Sequence, residues 1–485
     1  MSLSDDARLA QGLLRGPNRL GQIRRIHRTH VVVTFACACW VGALVPIALP
    51  MWVGVLVLTL GLLSRRPWLL LLAGLFASSF FSFNARAGLS PIPSQSWSGS
   101  VTLLGDPQTF PGRVIVIADS DIGRVQLTAS SSVAAELRQS TAGSAYTVSG
   151  VLRAPAHADR LASRHVRMSL SATSLKRDPV RASWRMPVDA VRELILRGSE
   201  SLPQKQRPVY NGFVIGDDRG SDPAIAQSFE DSGLTHLLVV SGENVVFIIA
   251  VATPLMSRLP RRARTTLMIA ILLLFAAVTR FEPSILRATV MAMIAIFGVG
   301  SGRPVDARQR LAAAVSLLVL VDPLLVESFG FRLSIAATAG IACFSQAIMK
   351  LMWGPQWFCQ VFAVTVAAQI AVAPLIIPTF GPMPLASLPA NVLAEPIAAF
   401  VMMWGSSVGL IAGVVGGWMA ALLLAPVMAG LWWILNVARW CAALPLPRLN
   451  LASVVVLFAG GVIFALWRHR RISHQQEHRQ RPPAG

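Results

Sequence analysis

The chain has 485 residues, of which 54% are hydrophobic and only 14% are charged, whereas an ordinary soluble domain has about 25% charged residues. This composition excludes a soluble protein of several domains, and it also excludes collagen-like, disordered and disulfide-rich proteins. Basic residues outnumber acidic ones by 43 to 23. Such an excess fits either the positive-inside rule of membrane proteins or an anionic substrate such as nucleic acid, and charge alone does not separate the two.

Apolar blocks of the kind that form membrane helices recur along the chain. They cover residues 31–49, 51–63, 67–83, 235–256, 265–279, 288–300, 311–325, 333–349, 360–379, 387–413, 417–440 and 451–467. Counting two helices in 31–63 places the arginine clusters on one side of the membrane, which the positive-inside rule makes the cytoplasmic side. The pattern predicts a polytopic α-helical membrane protein of about 12 transmembrane helices with both termini in the cytoplasm.

A long polar insert follows the third predicted helix. Because three helices cross the membrane before it and the N-terminus is expected in the cytoplasm, the insert is expected outside the cytoplasmic membrane. Its alternating β-branched runs predict five strands, which begin near Gly99, Arg113, Arg124, Tyr146 and Val166, with a short helix over 132–140. Five strands in about 100 residues favour a small β-barrel, of which the oligonucleotide-binding (OB) type is one candidate. The apolar spacing in 186–201 predicts an amphipathic helix on the outer membrane face.

The stretch Ser232–Val245, S-G-L-T-H-L-L-V-V-S-G-E-N-V, resembles the signature of ComEC-type competence proteins, which are inner-membrane channels for DNA uptake. We call these residues the signature segment. Three further stretches agree with that family in the same order, at 283–288, 322–334 and 380–396. The resemblance covers about residues 30–467 and implies a channel that imports single-stranded DNA across the cytoplasmic membrane during natural transformation.

The resemblance divides the chain into five parts. They are the cytoplasmic N-tail with three transmembrane helices (1–83), the extracytoplasmic OB-like domain (84–185), an interfacial helix with its connector (186–232), the competence-type channel bundle (233–467) and a basic cytoplasmic tail (468–485). Many family members add a nuclease domain, but no H-x-H-x-D-H motif is present here, and Glu243-Asn244 stands where the family often has Leu-His. We therefore expect no enzyme activity from this chain.

The expected partners are single-stranded DNA, membrane lipid, a separate DNA-receptor protein, a separate nuclease and a cytoplasmic ATP-driven motor. The motor is expected because the sequence contains no G-x-x-x-x-G-K-[ST] motif. Neither a cofactor nor a metal is expected, since the 5 cysteines show no metal-binding spacing.

Nine residues in these motifs are candidates for the substrate path, because polar side chains at membrane depth are costly unless they are paired or hydrated. They are His236, Ser241, Gly242, Glu243, Asn244, Arg287, Arg332, Asn391 and Glu395. Gly242 is expected to break a helix or to allow close packing, and the two arginines suit phosphate contacts. Asn391 and Glu395, four residues apart on one helical face, favour a structural pair or a gate over direct contact with DNA.

The alternative for these charges is a purely structural role. Glu243 would then pair with Arg287 or Arg332, and the two arginines would equally well neutralise Glu282 and Glu327. At the level of function, the alternatives are a transporter of a small anionic envelope metabolite and a membrane-embedded hydrolase. The last is disfavoured, because two residues five apart on one helix, such as His236 and Ser241, point about 140° apart.

Overall fold

The computed structural model describes residues 19–48, 50–64, 66–178, 186–300, 305–456 and 460. The start of the predicted N-tail, most of the helix predicted at 451–467, the basic tail and the predicted domain boundary near 185 lie outside these residues. The chain forms two compact units. One comprises Met1–Gly88 with Phe297–Val326, and the other comprises Leu89–Ile296 with Glu327–Gly485.

The first unit contains four described helices, numbered in chain order: α1 (Arg19–Leu44), α2 (Met51–Ser64), α3 (Pro67–Ala87) and α12 (Ala307–Val321). Gly74 of α3 lies against Phe35 of α1, and further along both helices the Ser82 hydroxyl donates to the Ala43 carbonyl. The contacts pair position 35 with 74 and position 43 with 82, so α1 and α3 run parallel. Helix α2 lies between them in the chain and connects the end of α1 to the start of α3. The apolar run 31–63 therefore forms two helices, as the distribution of arginines predicts.

The second unit begins with a β domain. Its elements are β1 (Gln95–Leu103), β2 (Gln108–Phe110), β3 (Arg113–Ser120), β4 (Gly123–Ser130), α4 (Ser131–Arg138), β5 (Ala145–Arg153), α5 (Ala158–Ala162) and β6 (Val166–Asp178). The five long strands and α4 match the prediction, whereas β2 and α5 were not expected. Strand β1 pairs with both β3 and β5, so the pairings close into the ring β1–β5–β6–β4–β3–β1.

Alternating residues of these strands form one apolar core. Val101, Leu127, Val148 and Leu170 each come from a different strand and are fully buried there. At Gly150 the β5–β6 register shifts, and a Cβ at this position would lie 2.2 Å from the Ser171 carbonyl oxygen. The glycine thus permits the β-bulge that lets β6 continue to a second partner strand.

The chain after the β domain is helical. It contains α6 (Met186–Ser199), α7 (Arg207–Ile215), α8 (Pro223–Asp231), α9 (Glu243–Leu255), α10 (Arg261–Val278), α11 (Pro283–Gly300), α13 (Phe329–Leu351), α14 (Gln356–Phe380), α15 (Ser387–Val415) and α16 (Gly417–Ala442). Two short strands, β7 (Met383–Pro384) and β8 (Arg448–Leu449), pair with each other. Of the described helices, six are long and apolar enough to cross a membrane: α3, α11, α13, α14, α15 and α16. The protein is a polytopic helical membrane protein, and the count of about 12 helices stays a prediction.

Helix α6 differs from its expected setting. Val188 and Ile195, which the sequence placed on a lipid-facing surface, are buried in the core that α15 and α16 share. The approach is close because Gly198 of α6 lies against Gly409 and Gly413 of α15, with no side chain between the two backbones. The apolar face of α6 is therefore covered by protein, and its location at the outer membrane face stays a prediction.

Two helix boundaries also correct the sequence analysis. The apolar block 235–256 is not one helix, because a 3₁₀ turn at Thr235–Leu237 and a non-helical stretch precede α9. Helix α11 starts at Pro283, a favoured residue at a first helical position, and so has 18 residues. Arg287 and Arg332, which lie just before the apolar blocks 288–300 and 333–349 of the sequence, consequently lie within α11 and α13.

Candidate functional site

The signature segment joins the end of α8 to the start of α9. Helix α8 ends at Asp231, and Gly233 follows with a φ of 74°, a left-handed conformation that glycine adopts without strain. After the 3₁₀ turn at Thr235–Leu237, α-helical structure resumes only at Glu243, whose N–H donates to the Ser241 hydroxyl oxygen at 3.3 Å. The segment therefore forms a break in helical structure within the apolar bundle, as Gly242 predicts.

Asn244 anchors the start of α9 to α7. It is buried, and its amide nitrogen donates to the Phe213 carbonyl at 2.9 Å, near the end of α7. The bond satisfies a carbonyl that has no partner within its own helix. Asn244 thus holds the signature segment in place, and its position on the substrate path stays a prediction.

Arg287 lies directly behind Gly242. A Cβ at position 242 would come within 2.5 Å of an Arg287 guanidinium nitrogen, so any residue other than glycine would displace that group. Arg287 Nε donates to the Ser334 hydroxyl of α13 at 2.8 Å, and Nη1 contacts the sulfur of Met291. Within the described residues, no carboxylate lies within 4.0 Å of this buried guanidinium.

These contacts exclude the structural alternative in which Glu243 or Glu282 pairs with Arg287. Neither Glu243 nor Glu282 forms an ion pair with Arg287 in the part of the chain that the structure describes, so Arg287 is a buried positive charge without a carboxylate partner. Burial raises the pKa of Glu282, which lies in the turn before α11, and the nearby Arg164 partly opposes that rise. The neutralising role that the sequence allowed for Glu282 toward Arg287 is therefore absent.

The other face of the signature segment carries acidic and imidazole groups. His236 and Glu243 are exposed, and Glu395 of α15 is half-buried. Helix α9 packs against α15, and the charges of Glu243 and Glu395, the latter in the first third of α15, interact unfavourably. Gly233 touches Ser387 at the start of α15. The segment thus presents Glu243 toward the helix that carries Glu395.

Helix α14 adds polar contacts to that region. The Thr365 hydroxyl lies 3.4 Å from Glu395 Oε2, and the Gln369 amide donates to the Ser387 hydroxyl at 2.9 Å. One helical turn before Glu395, Asn391 is buried and its carboxamide oxygen has no hydrogen-bond partner among the described residues. Neither Thr365 nor Gln369 was singled out from the sequence, although both interrupt an otherwise apolar block.

The structure therefore brings most predicted site residues together in two groups. Ser241 and Gly242 lie with Arg287, whereas Glu243 lies on the side of Glu395 and Asn391. His236 is exposed on the signature segment, and Arg332 is half-buried near the start of α13. No group of three or more His, Cys, Asp or Glu side chains in the described residues is arranged to hold a metal ion.

Sequence reasoning missed a buried ionic cluster beneath the β domain. Asp106, in the connection between β1 and β2, contacts Arg192 of α6 and Arg280 in the turn after α10. Burial alone would raise the pKa of Asp106, but the positive charges of Arg192, Arg280 and Arg219 and the hydrogen bond from the Ala142 N–H lower it below its usual value. Gly105-Asp106 after a strand is an ordinary turn sequence. Nothing in the local sequence therefore indicates that Asp106 forms a buried ion pair.

Comparison with known proteins yields two matches. The model of a family described as competence protein matches residues 213–471, more than half of the chain. The chain is 25% identical over 285 residues to ComE operon protein 3 of Bacillus subtilis (strain 168), an alignment that covers 56% of this chain and 36% of that relative. The chain thus spans about a third of the length of the curated relative it matches. No solved structure matches.

Proposed function

This chain belongs to the competence protein family, and from that premise we propose that it forms a path by which DNA, as a single strand, is imported across the cytoplasmic membrane during natural transformation. The observation that carries the proposal is the broken helix at the signature segment. Glu243 there faces Glu395 on one side, and the Arg287 guanidinium, which contacts no carboxylate among the described residues, lies behind Gly242 on the other. Broken helices of this kind line substrate paths in other transporters.

The positive charge at the break supports an anionic substrate. A buried cation without a carboxylate partner raises the electrostatic potential around it, and the low dielectric of the bundle strengthens that field. Guanidinium groups bind phosphate through two parallel hydrogen bonds. Glu243 and Glu395 repel phosphate, so in this proposal they act as a gate that limits when the strand passes rather than as its binding groups.

Import of labelled DNA tests the proposal. Deletion of the gene is expected to abolish uptake of labelled DNA into the cytoplasm, and the full-length chain should restore it. If the chain instead transported a small anionic metabolite, deletion would leave DNA uptake intact and change the metabolite content of the envelope. Normal DNA uptake in the deletion strain would therefore overturn the proposed function.

We propose that the β domain is an OB-like barrel that receives the strand. Its ring of pairings includes one parallel pair, β4 with β6, and a helix between β4 and β5. Residues 84–185 contain 12 basic and 6 acidic residues. Stacking contributes little, since Phe110 is half-exposed at the edge strand β2 and already lies beneath Arg113.

Binding of single-stranded DNA by the full-length protein is accordingly expected to weaken steeply as salt rises, because released counterions drive it. Replacing the exposed Arg124 or Arg164 with glutamine should each lower the salt slope by about 1. Fluorescence anisotropy across a salt series measures this, and Arg197→Gln on α6 is the matched control. A salt-insensitive affinity would remove the β domain from the DNA path.

We further propose that the β domain is extracytoplasmic and that both termini are cytoplasmic. Thr29 donates to Asp306, which supports placing the basic segments 1–30 and 303–310 at the same membrane surface. In a chain whose exposed cysteines Cys37 and Cys343 are replaced by alanine, an impermeant thiol reagent should label Ser120→Cys on intact cells. Ser473→Cys should react only after the membrane is permeabilised. The reverse pattern would show the opposite orientation.

The remaining partners follow from the direction of transport. Because the sequence contains no ATP-binding motif of the G-x-x-x-x-G-K-[ST] type, an ATP-driven partner on the cytoplasmic side would pull the strand inward. A receptor protein would deliver the DNA, and a nuclease would remove the complementary strand. We propose these as separate proteins. Depletion of ATP after DNA has bound at the surface should leave binding intact and stop import.

A further inference from the structure

The β domain is fastened to the helical part of the second unit by buried charges. Asp106 Oδ2 lies 2.5 Å from Arg192 Nη2, and Asp106 Oδ1 lies 3.3 Å from Arg280 Nη2. The Ala142 N–H also donates to Asp106 Oδ1 at 3.0 Å. The side chain of Arg192 is 5% exposed and that of Asp106 13% exposed, so this contact is largely shielded from solvent and from screening by salt.

Arg192 holds two helix ends in addition to Asp106. Its Nη1 donates to the carbonyl of Ile215, the last residue of α7, at 3.0 Å and to the carbonyl of Val278, the last residue of α10, at 2.8 Å. The last carbonyls of a helix have no donors within the helix, and a cation there is favoured by the helix dipole. One guanidinium therefore joins the β domain to the ends of α7 and α10.

From α7 the contacts continue to the signature segment. Phe213 accepts the hydrogen bond from Asn244, and Gly216, which follows the last residue of α7, lies against Val240. The Val240 carbonyl also accepts a hydrogen bond from Ser284 of α11 at 3.1 Å. The signature segment is thus held between α7 and α11, and a continuous series of direct contacts links it to Asp106.

A second ionic contact runs beside the first. Arg219, in the connection between α7 and α8, binds both carboxylate oxygens of Asp217 at 2.7 and 2.6 Å and donates to the Ser140 carbonyl of the β domain. Asp217 lies 3.5 Å from Arg192 as well. Removing the Asp106 charge would leave Arg192 and Arg280 short of a counter-charge in a buried site, and a buried charge that loses its partner is strongly unfavourable.

We propose that Asp106 and Arg192 form a latch through which the β domain sets the position of the signature segment. Arg192 acts through α7 and is therefore a positioning residue. The latch is independent of which substrate the protein carries, because it consists only of contacts within the chain. The decisive quantity is whether a change at Asp106 alters the signature segment.

The latch should stay closed at physiological pH. A carboxyl whose pKa is lowered in the folded state stabilises that state above its unfolded pKa, about 3.9 for aspartate, and this stabilisation is lost as pH falls through the lower folded value. Asp218 is another titratable group near the latch. Burial raises its pKa, and the neighbouring Asp217 charge raises it further. Any opening between pH 5 and 8 must therefore come from groups other than Asp106.

Thiol labelling of the full-length protein in native membranes tests the latch. The background replaces Cys37 and Cys343, keeps the buried Cys39, Cys359 and Cys441, of which Cys359 and Cys441 report unfolding of the second unit, and adds Ser241→Cys in the signature segment. Asp106→Asn is expected to raise the labelling rate at position 241 severalfold while the two reporter cysteines stay protected. Glu193→Gln, which removes an exposed ion pair with Arg197 on the same helix as Arg192, is expected to leave the rate unchanged.

Two results would overturn the latch. One is a labelling rate for Asp106→Asn equal to that of Glu193→Gln. The other is labelling of Cys359 and Cys441 together with position 241, which would mean that Asp106 stabilises the whole fold. If Asp106→Asn accumulates too poorly to be labelled, Asp106→Glu retains the charge but displaces it, and the same comparison applies. Since no DNA is present in this assay, its outcome is separate from that of the import experiment.

Discussion

Arg287→Gln is expected to lower DNA import by about tenfold or more, equivalent to ~1.4 kcal/mol, while the protein accumulates in the membrane at its normal level. The physical reason is that Arg287 has no carboxylate partner among the described residues, so its removal leaves no acid unpaired. Arg287→Lys keeps the charge but loses the planar fork and should import DNA at an intermediate rate. Import of labelled DNA, normalised to membrane abundance, measures the effect.

Arg197→Gln provides the matched control, because Arg197 lies on α6 and is 60% exposed. It is expected to import DNA normally. A loss of abundance that parallels the loss of import in Arg287→Gln would assign Arg287 to stability, through its bond to Ser334. Normal import at normal abundance would exclude it from the path altogether.

Gly413→Ala is expected to lower the stability of the bundle strongly. A Cβ at position 413 would lie 1.9 Å from the Leu194 carbonyl oxygen and 2.9 Å from its Cα. These are backbone atoms of α6, so the clash can be relieved only by moving one helix away from the other. Overpacking of this kind costs about 1–3 kcal/mol or more, and both membrane abundance and thermal stability in detergent should fall.

Gly330→Ala is the control for that substitution. Gly330 is also a helix residue of the second unit, in α13, but a Cβ there would have nothing within 4 Å. Alanine favours a helix over glycine by up to about 1 kcal/mol, so Gly330→Ala should be neutral or slightly stabilising. Equal stability of the two variants would contradict the close contact between α6 and α15.

The sequence predicted those parts of the fold that local pattern controls. Alternating apolar residues locate the five long strands because alternate side chains of a strand enter one core, as Val101 and Leu103 do in β1. The Ser241-Gly242 pair marks the helix break because glycine weakens a helix. The resemblance to competence proteins then directed attention to Arg287, which the structure places directly against that break.

What the sequence did not predict depends on contacts between distant residues. Arg192 occupies a helix with helical apolar spacing, which suggested a membrane surface, yet its partners are Asp106 and Val278, each 86 residues away in the chain. Asn244 was assigned to the substrate path from its neighbours, and only the fold shows that its amide meets Phe213. Local pattern cannot supply these pairings, since each depends on where other helices pack.

The length of α9 has a consequence for the lipid around the protein. Its 13 residues rise about 20 Å, whereas the hydrocarbon core of a bilayer is roughly 30 Å thick. If α9 crosses the bilayer starting from the side of Arg258 and Arg261, as the positive-inside rule predicts, Glu243 would stop roughly 10 Å short of the opposite surface. Local thinning of the bilayer, or water drawn inward, would then make up the difference. Phospholipids with longer acyl chains would widen this mismatch, so bilayer thickness itself would become a variable that shifts the energy of the charged groups at the start of α9.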